Sequence, residues 1–256
     1  MNWKSESASM ATYTDIWESA ENYLNFLNKK TNNLNAVNLF FEKIVLPVGD
    51  NLNVLDIGSG MSWTSALFKQ KFGSKVNKID LFDGDDTFEN LSREMFKLWK
   101  VDYNNVNFIK GDFENLSSLR EKYDIIIMTS AIHHVYKLDK LILDIKKLLS
   151  DNGMFFIMNE NPVPHLRFTW FLFKNYLHDF ISHLFAPKYS LFKQISHCGI
   201  MYDPILGDYF IPLRRYIYLF DKNGFTFEIF DTGFKQYKEL YTDHTLKHII
   251  CRKQEF

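Results

Sequence analysis

Residues 54–63 read VLDIGSGMSW, and this stretch decides the fold. Val54, Leu55 and Ile57 form a short apolar run, the length and composition of a buried strand. Asp56 sits near its end, and Gly58-Ser59-Gly60 makes a turn before a helical segment over about 62–71. Glycines at 58 and 60 let the backbone take positive φ and approach a ligand closely. The helix that follows begins with unpaired N–H groups and a partial positive charge.

The flanking sequence repeats the alternation. Apolar runs centred on Val76–Leu81, Val106–Ile109, Ile125–Met128 and Met154–Met158 read as further strands. Helix-like segments at about 86–99, 115–121 and 138–149 lie between them. Asp86 is placed to cap the first, and Asn152-Gly153 to stop the last. Strands alternating with helices predict an α/β fold, a doubly wound, mostly parallel sheet with helices on both faces. Two β-rich runs, Phe225–Thr232 and Leu246–Lys253, close the chain as a hairpin and add one antiparallel member. A helix between Pro212 and Asn223-Gly224 precedes them.

Two further regions flank this core. Residues 1–47 read as helices: Ile16, Ala20, Tyr23, Leu24 and Leu27 share one face, and Leu34, Val37, Phe41, Ile44 and Val45 run up to Pro47. Residues 161–211 break the alternation and hold nine aromatics between Phe168 and Phe192. The expected organisation is an N-terminal helical lid (1–47), a core (48–160 and 212–256) and an aromatic-rich α-helical cap inserted after the fifth strand (161–211).

Composition narrows the function. The 256 residues include 25 Phe, 13 Tyr and 5 Trp, against only 11 Gly and 6 Pro, which excludes low-complexity and collagen-like chains. Thirty basic and 31 acidic side chains give no global attraction to nucleic acid. Cys198 and Cys251 form no close motif and suit reduced thiols in a cytoplasmic protein, with one long-range disulfide as the alternative the sequence leaves open. The first residues lack the basic start and apolar run of a secretory signal. No stretch reaches the roughly 18 apolar residues of a membrane span.

Two cofactor classes use a Gly-x-Gly turn after a strand. A dinucleotide site wants a third glycine at position 63, and Trp63 stands there. The chain instead resembles the class I S-adenosylmethionine-dependent methyltransferases. Asp56, Gly58, Gly60 and Ser62 follow that family's first motif, with Ser62 in place of the last glycine. VNKIDL (76–81), VNFIKGDF (106–113), YDIIIMTSAIHHV (123–135) and GMFFIMNE (153–160) follow in the family's order. The resemblance covers about 48–160 and 212–253.

It implies a seven-stranded Rossmann-like sheet and S-adenosyl-L-methionine as methyl donor, with S-adenosyl-L-homocysteine as product. The implied donor-site residues are Asp56, Gly58, Ser59, Gly60 and Thr129, with Asp80 on the ribose hydroxyls, Leu81 beside the adenine, Asp112 on its amino group and Phe113 along its ring. Each acid also has a plain structural role open to it, as a cap or turn former, and Leu81 as core.

The acceptor is less legible. Nucleic-acid amino-methylating members carry Asn/Asp-Pro-Pro-aromatic after the fourth strand, and Thr129-Ser130-Ala131-Ile132 stands here. A small-molecule acceptor with an apolar or aromatic body, methylated on O or N, is expected. Tyr209, His134, Asp208, Glu160 and His165 are the acceptor-side candidates. His178 and His183 do not share a helical face, so no metal site is expected. Competing readings are an inactive binding or scaffold protein, and a methyltransferase acting on a protein or carrier-bound intermediate. Arg167 and Lys174 around Phe168–Phe173 also suit weak association with a membrane surface. A monomer or homodimer is expected.

Overall fold

The computed structural model describes residues 15–162, 169–170, 173, 177, 201–203, 208–238 and 245–254. Two compact units divide the chain: Tyr13–Asn161 with Phe220–Phe256, and Met1–Thr12 with Pro162–Leu219.

The larger unit holds a seven-stranded sheet. Its strands are β1 (Leu52–Ile57), β2 (Val76–Asp83), β3 (Val106–Lys110), β4 (Tyr123–Thr129), β5 (Leu149–Glu160), β8 (Phe225–Lys235) and β9 (Thr245–Lys253). The order is β3-β2-β1-β4-β5-β9-β8, and β9 alone runs antiparallel to its neighbours. The chain reverses direction across the sheet between β1 and β4. The crevice at the C-terminal ends of these two strands is where an open α/β sheet binds ligands.

Helices α1 (Ala20–Lys30), α2 (Asn33–Lys43), α3 (Trp63–Phe72), α4 (Phe88–Leu98) and α5 (Leu138–Leu148) surround the sheet. Phe40 of α2 packs on Phe156 of β5 and on Phe230 and His248, and Phe41 meets Phe68 of α3. On β5, Phe155 and Ile157 are as fully buried as their neighbours Phe156 and Met158, so both faces are covered. Ser19 caps α1 through its hydroxyl, which accepts from the Asn22 N–H at 3.1 Å. The α1–α2 junction is tied to the chain's far end: the Asn32 N–H donates to the Gln236 carbonyl at 2.9 Å. The Asn159 amide, near the end of β5, donates to the Asn33 carbonyl at 3.2 Å.

The smaller unit contributes a two-stranded ribbon, β6 (Met201–Asp203) and β7 (Asp208–Phe210). Helix α6 (Leu213–Lys222) passes from one unit to the other.

Three local expectations need correction. Asp86 does not cap α4; its carboxylate pairs with Lys110 at 2.7 Å, and Thr87 holds the cap position without a side-chain bond. The segment at 115–121 is only a 3-10 turn, Phe113–Ser118, because Asp112 caps it and the chain is extended again by Leu119. Asn152-Gly153 does not end α5. That helix stops at Leu148, and β5 begins at once, with Asn152-Gly153 inside a register shift against β4. The cap's structure, apart from its few described residues, and Cys198 lie outside the described residues.

Candidate active site

The turn after β1 is built from backbone geometry that glycine favours. Gly58 and Gly60 have φ of +67° and +48°, and Ser62 follows at +57°. A Cβ on Gly58 would lie 2.8 Å from the Ala131 Cβ and 3.2 Å from the Phe113 ring, so only glycine fits. Beside Gly60 the space is open to 4 Å. Ser62 tolerates its left-handed backbone with support: its hydroxyl bonds the Ser92 hydroxyl of α4 at 2.8 Å. The Ser92 hydroxyl in turn lies 3.3 Å from the Gly60 carbonyl.

A buried acid, Asp56, and a half-buried one, Asp83, flank this turn. Asp56 accepts from the Ser65 hydroxyl of α3 at 2.6 Å. Burial pushes its carboxyl up to about 7, the Ser65 bond opposes this, and the charge of Asp83 adds to the rise. Asp83 is the last residue of β2, and its Oδ2 accepts from the Gly60 N–H at 2.8 Å. Its Oδ1 accepts from the Asp85 N–H at 3.1 Å. Burial raises the Asp83 carboxyl as well, against the pull of these backbone donors. A carboxylate offers about four acceptor positions, so each oxygen retains capacity for another donor. Ser59 Oγ, Thr64 Oγ1 and Thr129 Oγ1 are buried without a hydrogen-bond partner among the described residues. Such orphaned groups are costly unless a ligand or water meets them.

Asp80, expected on the ribose, is elsewhere. It lies three residues before the end of β2, beside Leu55 and Asn107 in the ladder. Its carboxylate accepts from Lys78 at 3.0 Å, Asn107 at 2.8 Å and the Tyr123 hydroxyl at 2.8 Å. Tyr123 opens β4, so this cluster braces the strands' interior rather than the ligand-binding edge. Leu81 is fully buried in the main apolar core and leaves no surface for an adenine. Asp112 spends one oxygen on the Glu114 N–H at 2.9 Å. Phe113 lies with its ring against Gly58, and Thr129 ends β4.

On the acceptor side the structure brings together Glu160 and the two histidines. Glu160 ends β5, almost wholly buried, and accepts from the Ala131 N–H at 3.2 Å. Its second oxygen lies 3.0 Å from His133 Nδ1, and the His133 and His134 rings sit 4.3 Å apart. Asp208 and Tyr209 belong to the ribbon of the other unit. His165 lies outside the described residues. Asp83 is not among the residues the sequence singles out, whereas the His133-His134 pair is, with His134 named for the acceptor side. The run VNKIDLFD carries the strand's apolar pattern on to position 83, and that continuation was the available signal for Asp83.

An acid pair raised by burial suits a cationic ligand, and spare carboxylate acceptors suit vicinal hydroxyls. S-adenosylmethionine carries an ammonium, a sulfonium and a ribose diol, so the residues present fit it.

Residues 49–184 match a family model described as a methyltransferase domain. No curated protein sequence matches the chain. Among solved structures the chain is similar to the YcgJ protein of Bacillus subtilis, at 16% identity and a TM-score of 0.55, over 87% of this chain and 100% of that one. It is also similar to an O-methyltransferase family protein of Burkholderia thailandensis, at 10% identity and a TM-score of 0.63, over 92% of this chain and 60% of that one. A third similar structure is the trans-methyltransferase CalH in complex with SAH, at 17% identity and a TM-score of 0.52, over 80% of this chain and 52% of that one. Identities this low show a shared fold. The family match covers more than half of the sequence, and the chain belongs to the methyltransferase domain family, on the class I S-adenosylmethionine-dependent fold.

Proposed function

We propose that the protein transfers the methyl group of S-adenosylmethionine to the oxygen or nitrogen of a small molecule with an apolar or aromatic body. The observation that carries the donor half is the glycine turn between the buried Asp56 and the half-buried Asp83, with open space at Gly60 and unmet hydroxyls at Ser59 and Thr129. In this reading Asp83 takes the ribose hydroxyls, in place of Asp80. Asp56 balances the donor's positive charge, and Asp112 and Phe113 serve the adenine. Bound there, the donor supplies an electrophilic methyl group; the protein's own residues orient the acceptor behind it and exclude water.

The small, apolar acceptor is supported by the aromatic-rich stretch after β5. Trp170, Phe173 and Leu177, spaced three and four residues apart and helical, are 63%, 56% and 47% exposed within it. Helices α1 and α2, which belong to the larger unit with the sheet, are proposed as the lid over the donor. The rings of Trp17, just before α1, and Tyr23 lie 5.0 Å apart at a tilt of 34°, and Trp17 reaches Phe88 of α4 at 6.2 Å. The test is methyl transfer from methyl-tritiated S-adenosylmethionine to a panel of apolar phenols, alcohols and amines, counted in the organic phase. Label appearing only in protein would overturn the small-molecule reading.

A further inference from the structure

From the exposed Trp170–Phe173–Leu177 face we infer that the stretch after β5 docks on the surface of an anionic lipid bilayer, lying in its interface and not crossing it. The inference stands apart from the methyl-transfer reading, and its test needs no donor.

Three observations carry it. The first is the face itself. Trp170, Phe173 and Leu177 are helical and exposed, and among the described residues no aromatic side chain is more exposed than the first two. With 3.6 residues per turn, their spacing keeps all three within about 60° around the helix. The Trp170 and Phe173 rings lie 6.0 Å apart at a tilt of 30°, so they form one continuous apolar surface. Large apolar groups grouped in this way mark a contact surface, whereas single exposed ones are ordinary.

The second is charge. Residues 162–200 carry Arg167, Lys174, Lys188 and Lys193 against Asp179 alone. The rest of the chain holds 26 basic and 30 acidic side chains, so the positive balance is local to this stretch. Anionic headgroups attract such a stretch once it comes within a Debye length, about 8 Å at physiological salt. Trp, Phe and Leu on one face of a helix in a basic stretch are what a bilayer interface takes up. The indole suits the boundary, with its flat body among the acyl chains and its N–H toward the headgroups.

The third is size. An aromatic side chain offers about 150–250 Å² of surface, so the three exposed groups present roughly 300 Å², well under the 800 Å² or so per partner of a stable protein interface. A second copy of the chain is therefore a poor occupant, while a bilayer needs only a few inserted side chains. The stretch is also too interrupted to span. Between Arg167 and Lys193 no uncharged run exceeds the eight residues 180–187, against roughly 20 for a spanning helix. No described helix is long and apolar enough to cross a membrane. An acceptor with an apolar body would concentrate in the same layer.

The test floats the full chain with vesicles of phosphatidylcholine alone and of phosphatidylcholine mixed equally with phosphatidylglycerol. The protein should float with the anionic vesicles and largely stay behind with the neutral ones, and raising salt to about 0.5 M should release it. Trp170→Ser combined with Phe173→Ser should lower the partition coefficient at least tenfold, with the melting temperature unchanged. Trp170→Phe guards against a misfolded double variant. It should still float, but the quenching of tryptophan emission by brominated lipid seen in the wild type should be lost. Failure to float with anionic vesicles, equal flotation with neutral ones, equal flotation of a folded double variant, or quenching that survives Trp170→Phe overturns the proposal. A wild-type dimer in sedimentation velocity that the double variant dissolves, with no vesicle binding, assigns the face to a second copy and overturns it too.

Discussion

Asp80 and Asp83 lie three residues apart on one strand, and exchanging each for asparagine should produce opposite phenotypes. Asp83→Asn keeps an oxygen for the Gly60 N–H now bonded at 2.8 Å, so the turn retains its shape. It loses the charge and one acceptor for the ribose diol. A hydrogen bond to a charged group contributes about 1.5–3 kcal/mol, and each 1.4 kcal/mol is tenfold in affinity. The dissociation constant for S-adenosylhomocysteine should therefore rise by roughly 10- to 100-fold, with thermal stability nearly unchanged. Asp80→Asn disturbs a carboxylate held by Lys78, Asn107 and Tyr123. Leaving the buried Tyr123 hydroxyl and the half-buried Lys78 poorly met costs about 2 kcal/mol, which for a domain of this size lowers Tm by roughly 4–8 °C. Its affinity for S-adenosylhomocysteine should stay within about three-fold of the parent, well under 1 kcal/mol. Calorimetry and thermal melts on both variants decide the matter. A folded Asp80→Asn that no longer binds, beside an Asp83→Asn that binds normally, would refute the assignment.

Other outcomes follow from the same geometry. Because burial holds the free Asp56 carboxyl at about 7, binding a cation beside it should expel a proton near neutral pH. The affinity for S-adenosylmethionine should accordingly rise as pH increases from about 5 to 7, with proton release visible as buffer-dependent heat. His248 is buried, and desolvation holds it down at about 4, below the ordinary value of 6.5. The unfolded chain takes up this proton first, so the stability is present above pH 6.5 and is lost as pH falls toward 4; about 2 kcal/mol should disappear between pH 7 and 5 in urea titrations, and His248→Gln should flatten that part of the profile. Gly58→Ala should abolish donor binding by driving a methyl group into Ala131 and Phe113, whereas Ser92→Ala, which removes the brace under Ser62, should weaken binding only several-fold in the same calorimetric assay.

Much of the architecture was legible because it is written in apolar runs. Every strand of the main sheet stands where such a run occurs, and the single antiparallel strand follows from the closing hairpin. Strand ends were harder. Stopping β2 at Leu81 made Asp80 look terminal, when Phe82 continues the buried pattern and brings Asp83 to the edge. One residue's shift along a strand exchanges its faces, so a short error in length changes which acid stands beside the glycine turn. Asn152-Gly153 reads as a helix stop, yet its position is taken by the first, irregular residues of β5. The Glu160–His133 pair joins residues 27 apart in sequence, across β4 and β5. No local pattern announces such a contact; only the parallel register of those strands brings it about.

A donor site at the Gly58–Gly60 turn is tested most directly by titration of the intact protein with S-adenosylhomocysteine. One molecule should bind per chain with micromolar affinity, and binding should weaken sharply in Asp83→Asn. Absence of heat up to millimolar ligand, with a folded protein in the cell, would contradict it.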